Sequence, residues 1–208
     1  VQVLNLDPFI GVSAARNAGA SAAKGDLLAF LDDDDVWDKD FLKHLAFAMQ
    51  AEQADYVVGD KYRFYEGQQA WRAESFAESS IGTIGCFYGK NPGFGGGNFL
   101  VGKKAFFAVG GFDENITLSE DQVLPCELML KGYKLVGEAR AKYYARLHTN
   151  PRLNDKGSTK RSDNFLKYYL QFYHKMKTHM TLKQRVVYVY KGWKKVLKHK
   201  VKSVFYHS

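Results

Sequence analysis

The chain has 208 residues, of which 46% are hydrophobic and 25% are charged, as in an ordinary soluble globular protein. Two cysteines and the lack of any long apolar run exclude a disulfide framework and a membrane-spanning helix, so we expect a cytoplasmic location. The net charge of +8 is uneven: residues 164–208 hold 11 of the 30 Lys and Arg and none of the 22 Asp and Glu, leaving 19 basic against 22 acidic residues in residues 1–163. We therefore predict a mildly acidic domain over residues 1–163 and a basic extension over residues 164–208.

The first thirty residues have the pattern of a strand, a helix and a second strand. Residues 1–6 have a strand pattern, and Ser13 is the expected N-cap of an alanine-rich helix that ends at Gly25. The apolar run at residues 27–31 is too short for a helix and predicts a buried strand. Together these segments predict a βαβ unit with two parallel strands.

Four consecutive carboxylates, Asp32 to Asp35, directly follow the predicted strand. Like charges this close raise one another's pKa unless a cation opposes them, and Mg²⁺ binds one or two carboxylates together with the oxygens of a phosphorylated substrate. Ligands of open α/β sheets bind at the carboxyl ends of strands, which is where these acids fall. A solvated loop or a helix N-cap region is the alternative. A calcium loop of the EF-hand type is excluded, because its sixth and twelfth places hold Trp37 and Lys43.

Further elements follow from periodicity. A helix over residues 41–53, capped by Asp38 or Asp40, has an apolar face made of Phe41, Leu42, Leu45, Phe47 and Ala48. Strands are predicted at residues 56–59, 99–102, 133–136 and 143–149, and a short helix at residues 103–109. Residues 61–90 have no clear pattern.

Two more stretches are candidates for a functional site. The glycine-rich loop of residues 93–98 either lets a ligand approach the backbone or moves, and a plain linker is the alternative. Glu120 and Asp121 lie near the start of a predicted helix, where the helix dipole favours carboxylates, so capping alone could also explain them.

The end of the chain predicts a basic amphipathic helix. Its apolar residues recur at intervals of three and four: Val186, Val189, Tyr190, Trp193, Val196, Leu197, Val201 and Val204. Lysines cover the other side: Lys191, Lys194, Lys195, Lys198 and Lys202. Such a helix suits an anionic membrane surface, while packing against the rest of the chain with the lysines in water fits equally well. No recognition motif indicates nucleic acid, and we expect none as a partner.

Several motifs, taken in order, resemble the family 2 glycosyltransferases of the GT-A fold. They are Gly11-Val12-Ser13 with Ala15-Arg16-Asn17 and Gly19, Gly25-Asp26 with Phe30-Leu31-Asp32, Asp34-Asp35 and Trp37, then Gly110-Gly111-Phe112-Asp113-Glu114, Glu120-Asp121, and Arg146 with His148. The resemblance implies an α/β fold, a Rossmann-like mixed sheet with flanking helices. The basic amphipathic helices at the C-terminus come in addition to it.

The resemblance also implies an inverting transfer from a nucleotide-sugar donor with Mg²⁺ or Mn²⁺ as cofactor. Asp32, Asp33 and Asp34 would form the DXD motif of the donor site, with Asp34 on the metal and Asp32 at the ribose or the metal. Arg16 would lie near the nucleotide or diphosphate, and His148 at the metal or phosphate edge, although a packed or capping histidine fits as well. Asp121, in the pair with Glu120, would be the general base that deprotonates the acceptor hydroxyl. Gly96, Gly97 and Asn98 of the glycine-rich loop would lie on the acceptor side.

Two features depart from the family pattern. The family's first strand, with the acid that reads the base, would precede Val1, so the resemblance predicts an N-terminally incomplete domain. Glu127 stands near the usual place of an arginine, and Pro125 is unusual in that helix.

We therefore predict a glycosyltransferase that moves a sugar from a nucleotide-sugar donor, with a UDP-sugar favoured, to a glycan or lipid-linked acceptor. Cell-surface polysaccharide synthesis is the expected role, and the cytoplasmic face of the membrane is the expected site of peripheral attachment. The alternative is a truncated or degenerate copy that keeps the fold without catalysis.

Overall fold

The computed structural model describes residues 2–7, 10–75, 85–88, 93–118, 120–147 and 159–205. The chain divides into two units, Val1–Thr83 with Pro92–Leu147, and Ile84–Asn91 with His148–Ser208. We describe each unit by itself. The boundary predicted between residues 163 and 164 stays a prediction.

The elements are numbered in chain order. Helices α1 to α6 are Val12–Ala22, Phe41–Glu52, Lys103–Ala108, Glu120–Leu130, Thr159–Met176 and Leu182–Phe205. Strands β1 to β6 are Leu27–Ala29, Val36–Trp37, Tyr56–Tyr65, Trp71–Glu74, Phe99–Gly102 and Leu135–Leu147. Two short 3₁₀ helices are Gly85–Tyr88 and Lys177–His179.

The first unit is built on a mixed sheet with the strand order β1-β5-β3-β6-β2, and β4 pairs with β3 off this path. Among the described strands, β3 and β6 form the parallel pair, and all other pairings are antiparallel. The predicted βαβ unit is wrong, because residues 2–7 form no strand and β1 pairs antiparallel with β5. β1 is also an edge strand with Leu27 45% exposed, so only Leu28 is buried as predicted.

Most of the remaining elements confirm the prediction, with shifted ends. β3 is longer than the predicted strand, and β6 joins the two strands predicted at residues 133–136 and 143–149 into one. The N-cap of α1 is Gly11 rather than Ser13, since Ser13 lies buried inside the first turn. The Ser13 hydroxyl makes no hydrogen bond within the part of the chain that the structure describes.

Helix α2 packs on the sheet with a narrower apolar face than predicted. Phe41 and Leu45 are fully buried, whereas Leu42 and Phe47 are 43% and 62% exposed. The N-cap of α2 is Asp40, which makes no side-chain capping bond. The buried face contributes to a core cluster of Phe41, Leu45, Ala48, Met49, Ala54, Val57, Leu100, Ala141 and Tyr143.

Aromatic rings form a second part of the core. Phe30, which follows β1, lies 5.2 to 5.7 Å from the rings of Phe99, Phe106 and Phe112, measured between ring centroids. Tilted and edge-on ring pairs at such distances stabilise a core by about 0.5–1.5 kcal/mol beyond their buried area. This cluster fixes the start of the acidic run, because Asp32 lies only two residues after Phe30.

The second unit contains the predicted C-terminal helices, α5 and α6, packed against each other through aromatic rings. The Tyr188 ring of α6 stacks on Phe172 of α5 with 5.4 Å between centroids, and Tyr169 lies 5.2 Å from Tyr188. The short 3₁₀ helix at Gly85–Tyr88 joins this unit, with the amine of Lys191 donating to the Tyr88 carbonyl at 2.9 Å. No described helix has the length and apolar content needed to cross a bilayer.

The corrected face of α2 yields a stability prediction. Leu45→Ala removes a fully buried side chain and lowers the free energy of unfolding by about 2–5 kcal/mol, since it leaves a cavity. Leu42→Ala, the same change one turn away at a 43% exposed position, costs about 1 kcal/mol or less. Urea denaturation of both variants measures the difference. Equal losses would contradict the orientation of α2.

Candidate active site

The acidic run forms a turn between β1 and β2. The amide of Asp35 donates to the carbonyl of Asp32 at 3.2 Å, and the following residues Val36 and Trp37 pair with Tyr144 and Tyr143 of β6. Asp33 is exposed, whereas the other three acids are half-buried. The run is therefore a folded turn attached to the sheet at both ends, and the alternative of a merely solvated loop does not describe it.

Asp35, which the sequence did not single out as a site residue, is held through both of its carboxylate oxygens. The Tyr143 hydroxyl donates to its Oδ2, and the backbone amide of Arg146 donates to its Oδ1 at 2.8 Å. The Arg146 side chain also donates from Nε to the Asp34 carbonyl at 2.9 Å. Strand β6 thus fixes Asp34 and Asp35, the second half of the acidic turn. Asp32 and Asp33 form the first half.

The environment of Asp35 shifts its protonation. Burial raises the pKa of Asp35, the hydrogen bonds from Tyr143 and Arg146 oppose that rise, and the neighbouring charges of Asp34 and Asp32 add to it, with a net rise. Burial and the Asp35 carboxylate raise the pKa of Tyr143 far above its ordinary value. Tyr143 therefore keeps its proton and remains a hydrogen-bond donor to Asp35 at any working pH.

Arg16 of α1 connects the acidic turn to helix α4. Its two terminal nitrogens lie 2.8 Å from Asp32 Oδ1 and 2.8 Å from Glu120 Oε1. The side chains of Arg16 and Glu120 are each 12% exposed, and that of Asp32 is 43% exposed. Burial alone would lower the pKa of Arg16, but the two carboxylates outweigh it and the pKa is raised. The structure thus brings together three of the predicted site residues.

The turn after α3 contacts Arg16 and its neighbour Asn17. The ring of Phe112 lies 5.4 Å from the guanidinium carbon, a cation–π distance. Asn17, next to Arg16, exchanges two hydrogen bonds of 2.9 Å with the Phe112 backbone. Gly111 has φ +73°, and a Cβ there would meet the Asn17 Oδ1 at 2.6 Å, so this position requires glycine for both reasons. This explains the sequence motif Gly110-Gly111-Phe112 in physical terms.

The glycine-rich loop is packed against the site instead of serving as a free linker. The buried Asn98 amide donates to the carbonyls of Gly59 and Gly93 at 2.8 and 2.9 Å, and the Trp37 indole donates to the Gly97 carbonyl at 2.7 Å. A Cβ at Gly96 would lie 2.6 Å from the Arg16 guanidinium. The interpretation of this segment as a linker is therefore wrong.

A Cβ at Gly97 would lie 2.6 Å from the Tyr143 ring. Gly96 and Gly97 thus place the loop directly against Arg16 and Tyr143, beside the acidic turn. The roles predicted for Gly96, Gly97 and Asn98 on the acceptor side stay predictions.

The other predicted site residues are the acid pair of α4 and His148. Glu120 and Asp121 form the first turn of α4, where Glu120 faces Arg16 and Asp121 is half-buried. His148 lies outside the described residues. Within the described ranges, no group of three or more His, Cys, Asp and Glu side chains has the arrangement of a metal cage.

The comparison with known proteins decides the family. The sequence model of the family described as Glycosyl transferase family 2 matches residues 1–114, which is more than half of the chain. The chain belongs to glycosyl transferase family 2.

Two curated relatives come from Streptococcus pneumoniae serotype 4. The family 2 chain is 33% identical to the glycosyltransferase GlyG over 66 residues, which is 32% of this chain and 22% of GlyG. It is 38% identical to the glycosyltransferase GlyA over 58 residues, which is 28% of this chain and 8% of GlyA. The matches thus cover less than a quarter of either relative.

Solved structures show the same fold at low sequence identity. The structure of S. aureus TarS 1-349 in complex with UDP-GlcNAc has a TM-score of 0.55 and 16% identity, and the match covers 78% of this chain and 47% of that chain. TarS 1-349 alone has a TM-score of 0.53 and 15% identity over 86% of this chain and 50% of that chain. The α/β class and the GT-A fold with its mixed sheet and flanking helices are confirmed.

The part-buried contact of Arg16 with Glu120 predicts a measurable coupling. Arg16→Met, Glu120→Gln and the double variant form a cycle whose coupling energy in the free energy of unfolding is about 1–3 kcal/mol. Lys134 and Glu52, an ion pair with half-exposed side chains, give about 0–1 kcal/mol in the matching cycle. Equal coupling in the two cycles would show that Arg16 contributes no more than a surface pair.

The contacts of Asp35 predict its titration. In carbon-13 NMR, the Asp35 carboxyl titrates above the ordinary value of an aspartate, and Tyr143→Phe raises its pKa further because the hydroxyl donor is lost. Tyr144→Phe, one residue along β6 and paired with Tyr62, leaves the Asp35 titration unchanged.

The sign for stability follows from the raised pKa. The pKa of Asp35 is higher in the folded than in the unfolded state. Protonation of Asp35 therefore contributes to the free energy of unfolding fully below the unfolded-state pKa, and this contribution is lost as the pH rises through the folded-state pKa. A folded-state pKa below the ordinary value would contradict this description of the site.

Proposed function

We propose that this chain transfers a sugar from a nucleotide-diphosphate donor, with a UDP-sugar favoured, to a glycan or lipid-linked acceptor. The observation that carries the proposal is the bridge from Asp32 through Arg16 to Glu120. It joins the acidic turn, the proposed donor side, to the first turn of α4, the proposed side of the base. A transfer reaction needs both groups at one place, because the acceptor oxygen must reach the carbon that the donor phosphate leaves.

The donor side combines carboxylates with one cation. We assign Asp32, Asp33, Asp34 and Arg16 to the donor, and Asp34 with Asp32 to a Mg²⁺ or Mn²⁺ ion. The donor set fits such an ion, because Mg²⁺ needs only one or two protein carboxylates when a diphosphate supplies the other oxygens. When bound, the ion would neutralise charge that develops on the leaving diphosphate. We do not assign Asp35 to the ion, because its two oxygens accept hydrogen bonds from the Tyr143 hydroxyl and the Arg146 amide.

The acid pair of α4 supplies the proton acceptor. Glu120 accepts a hydrogen bond from Arg16. We assign the general base to Asp121 of the same turn, the role that the family resemblance gives it. Its carboxylate takes the proton of the acceptor hydroxyl, the acceptor oxygen bonds to the anomeric carbon, and the bond from that carbon to the diphosphate oxygen breaks. The nucleoside diphosphate leaves with the electron pair, and the attack from the opposite side inverts the anomeric centre.

A structural neighbour supports the class of donor. TarS 1-349 was crystallised with UDP-GlcNAc, and this chain shares its fold, which favours a UDP-sugar here. GlyG and GlyA are glycosyltransferases of a bacterium, and cell-surface polysaccharide synthesis is our proposal for this chain.

Calorimetric titration tests the donor site. We expect UDP to bind the chain in the presence of Mn²⁺ and to bind weakly without it, with GDP weaker under both conditions. Asp34→Asn lowers the affinity by at least roughly tenfold, as loss of a metal contact does. Asp26→Asn makes the same charge change in an exposed position between α1 and β1 and leaves binding unchanged.

The outcomes separate the alternatives. Tighter binding of GDP would reassign the nucleobase, and metal-independent binding would contradict the assigned role of Asp34. A folded chain, verified by circular dichroism, that binds neither nucleotide would favour the degenerate, non-catalytic copy over the proposed transferase.

A further inference from the structure

Helix α6 has two adjoining apolar faces, only one of which is covered. The covered face contains Tyr188 and Val196, which are 1% and 4% exposed, and Gly192 between them. Tyr188 packs on the rings of α5, and a Cβ at Gly192 would lie 3.0 Å from the Tyr169 ring. The close approach of α5 at Gly192 means that this face already has its partner within the second unit.

The other face is exposed along at least four turns. We call it the α6 stripe, and it consists of Leu182 (77% exposed), Val186 (61%), Val189 (40%), Tyr190 (64%), Trp193 (65%) and Leu197 (63%). The spacing of three and four residues places these side chains on one side of the helix. Single exposed apolar residues are ordinary, but a contiguous row that includes a tryptophan marks an interaction surface.

Lysines border the stripe. Lys183 and Lys194 are exposed on the same helix, next to the stripe on its wheel, whereas Lys195 lies on the side of α5, over the Tyr169 ring. The sequence from residue 164 to residue 208 holds 11 Lys and Arg and no Asp or Glu. The surface that offers apolar side chains therefore also offers only positive charge, which requires a partner that is both apolar and anionic.

We propose that the α6 stripe binds an anionic lipid surface, with the helix lying in the plane of the interface. The apolar side chains enter the boundary between headgroups and acyl chains, and the bordering lysines contact the anionic headgroups. Trp193 at the centre of the stripe is the side-chain type that prefers this boundary.

Two other partners fit the surface less well. A second copy of the chain would bring the lysines of two α6 helices together, and like charges repel at such an interface. Nucleic acid would use the lysines, but Leu182, Val186 and Leu197 would have no role against phosphates. Charge and apolar content together favour the lipid surface.

Vesicle sedimentation tests the proposal on the whole chain. We expect binding to phosphatidylcholine vesicles that contain 30% phosphatidylglycerol, and at least tenfold weaker binding to phosphatidylcholine alone. Raising the salt from 0.1 M to 1 M weakens binding, because the Debye length falls from about 10 Å to about 3 Å. Tryptophan emission shifts to shorter wavelength on binding, and Trp193→Phe removes most of that shift.

Matched variants separate the contribution of the apolar side chains to vesicle binding from that of the lysines. Trp193→Gln combined with Leu197→Gln lowers vesicle affinity at least tenfold, whereas Leu170→Gln, at a 47% exposed position on α5, leaves it unchanged. Lys183→Gln combined with Lys194→Gln lowers the affinity roughly 25-fold, at about fivefold for each lysine. Lys24→Gln combined with Lys104→Gln, two exposed lysines of the first unit, serves as the charge control.

Several results would overturn the proposal. One is no binding to anionic vesicles by a folded chain, and another is binding that the stripe variants leave unchanged. A dimer in analytical ultracentrifugation that Trp193→Gln dissociates, with no vesicle binding, would assign the stripe to a second copy. Salt-sensitive binding to RNA or DNA without vesicle binding would assign the surface to nucleic acid. Asp34→Asn leaves vesicle binding intact, so failure of the donor site and failure of this surface remain distinguishable.

Discussion

The guanidinium of Arg16 lies between two carboxylates that come from distant parts of the chain, Asp32 and Glu120. A planar group with several donors can bond both acceptors at once, whereas a lysine amine lacks that geometry. Without this cation, the two carboxylates would share a part-buried space and repel. The position of Arg16 depends in turn on the Phe112 ring and on the bare backbone of Gly96, so the turn after α3 and the glycine-rich loop both contribute to the same contact.

Much of this arrangement could be predicted from sequence, because it depends on local chemistry. Consecutive carboxylates after an apolar run can be recognised directly in the sequence, and so can an acid pair at the start of a predicted helix. The helices at residues 41–52, 103–108 and 120–130 follow from periodicity and end within a few residues of the expected positions. The order of the motifs predicted the family, and the family match over residues 1–114 confirms it.

The missed features depend on contacts between residues far apart in the chain. A three-residue strand such as β1 has the same apolar pattern at an edge as in the middle of a sheet, so its antiparallel pairing could not be read from it. Asp35 looks like its three neighbours until Tyr143 and Arg146 are placed beside it by the pairing of β2 with β6. The sequence of α6 does not show which of its apolar residues are buried. The packing of α5 on the helix divides them into a covered and an uncovered face.

The two glycines beside the site limit how the loop can diverge. Neither Gly96 nor Gly97 has a positive φ, so the backbone itself would accept alanine at both positions. The restriction is volume, since the added methyl would occupy space held by the Arg16 guanidinium or the Tyr143 ring. A directed-evolution library of the glycine-rich loop should therefore leave these two codons fixed, because randomising them would displace the arginine or the tyrosine instead of changing the loop alone.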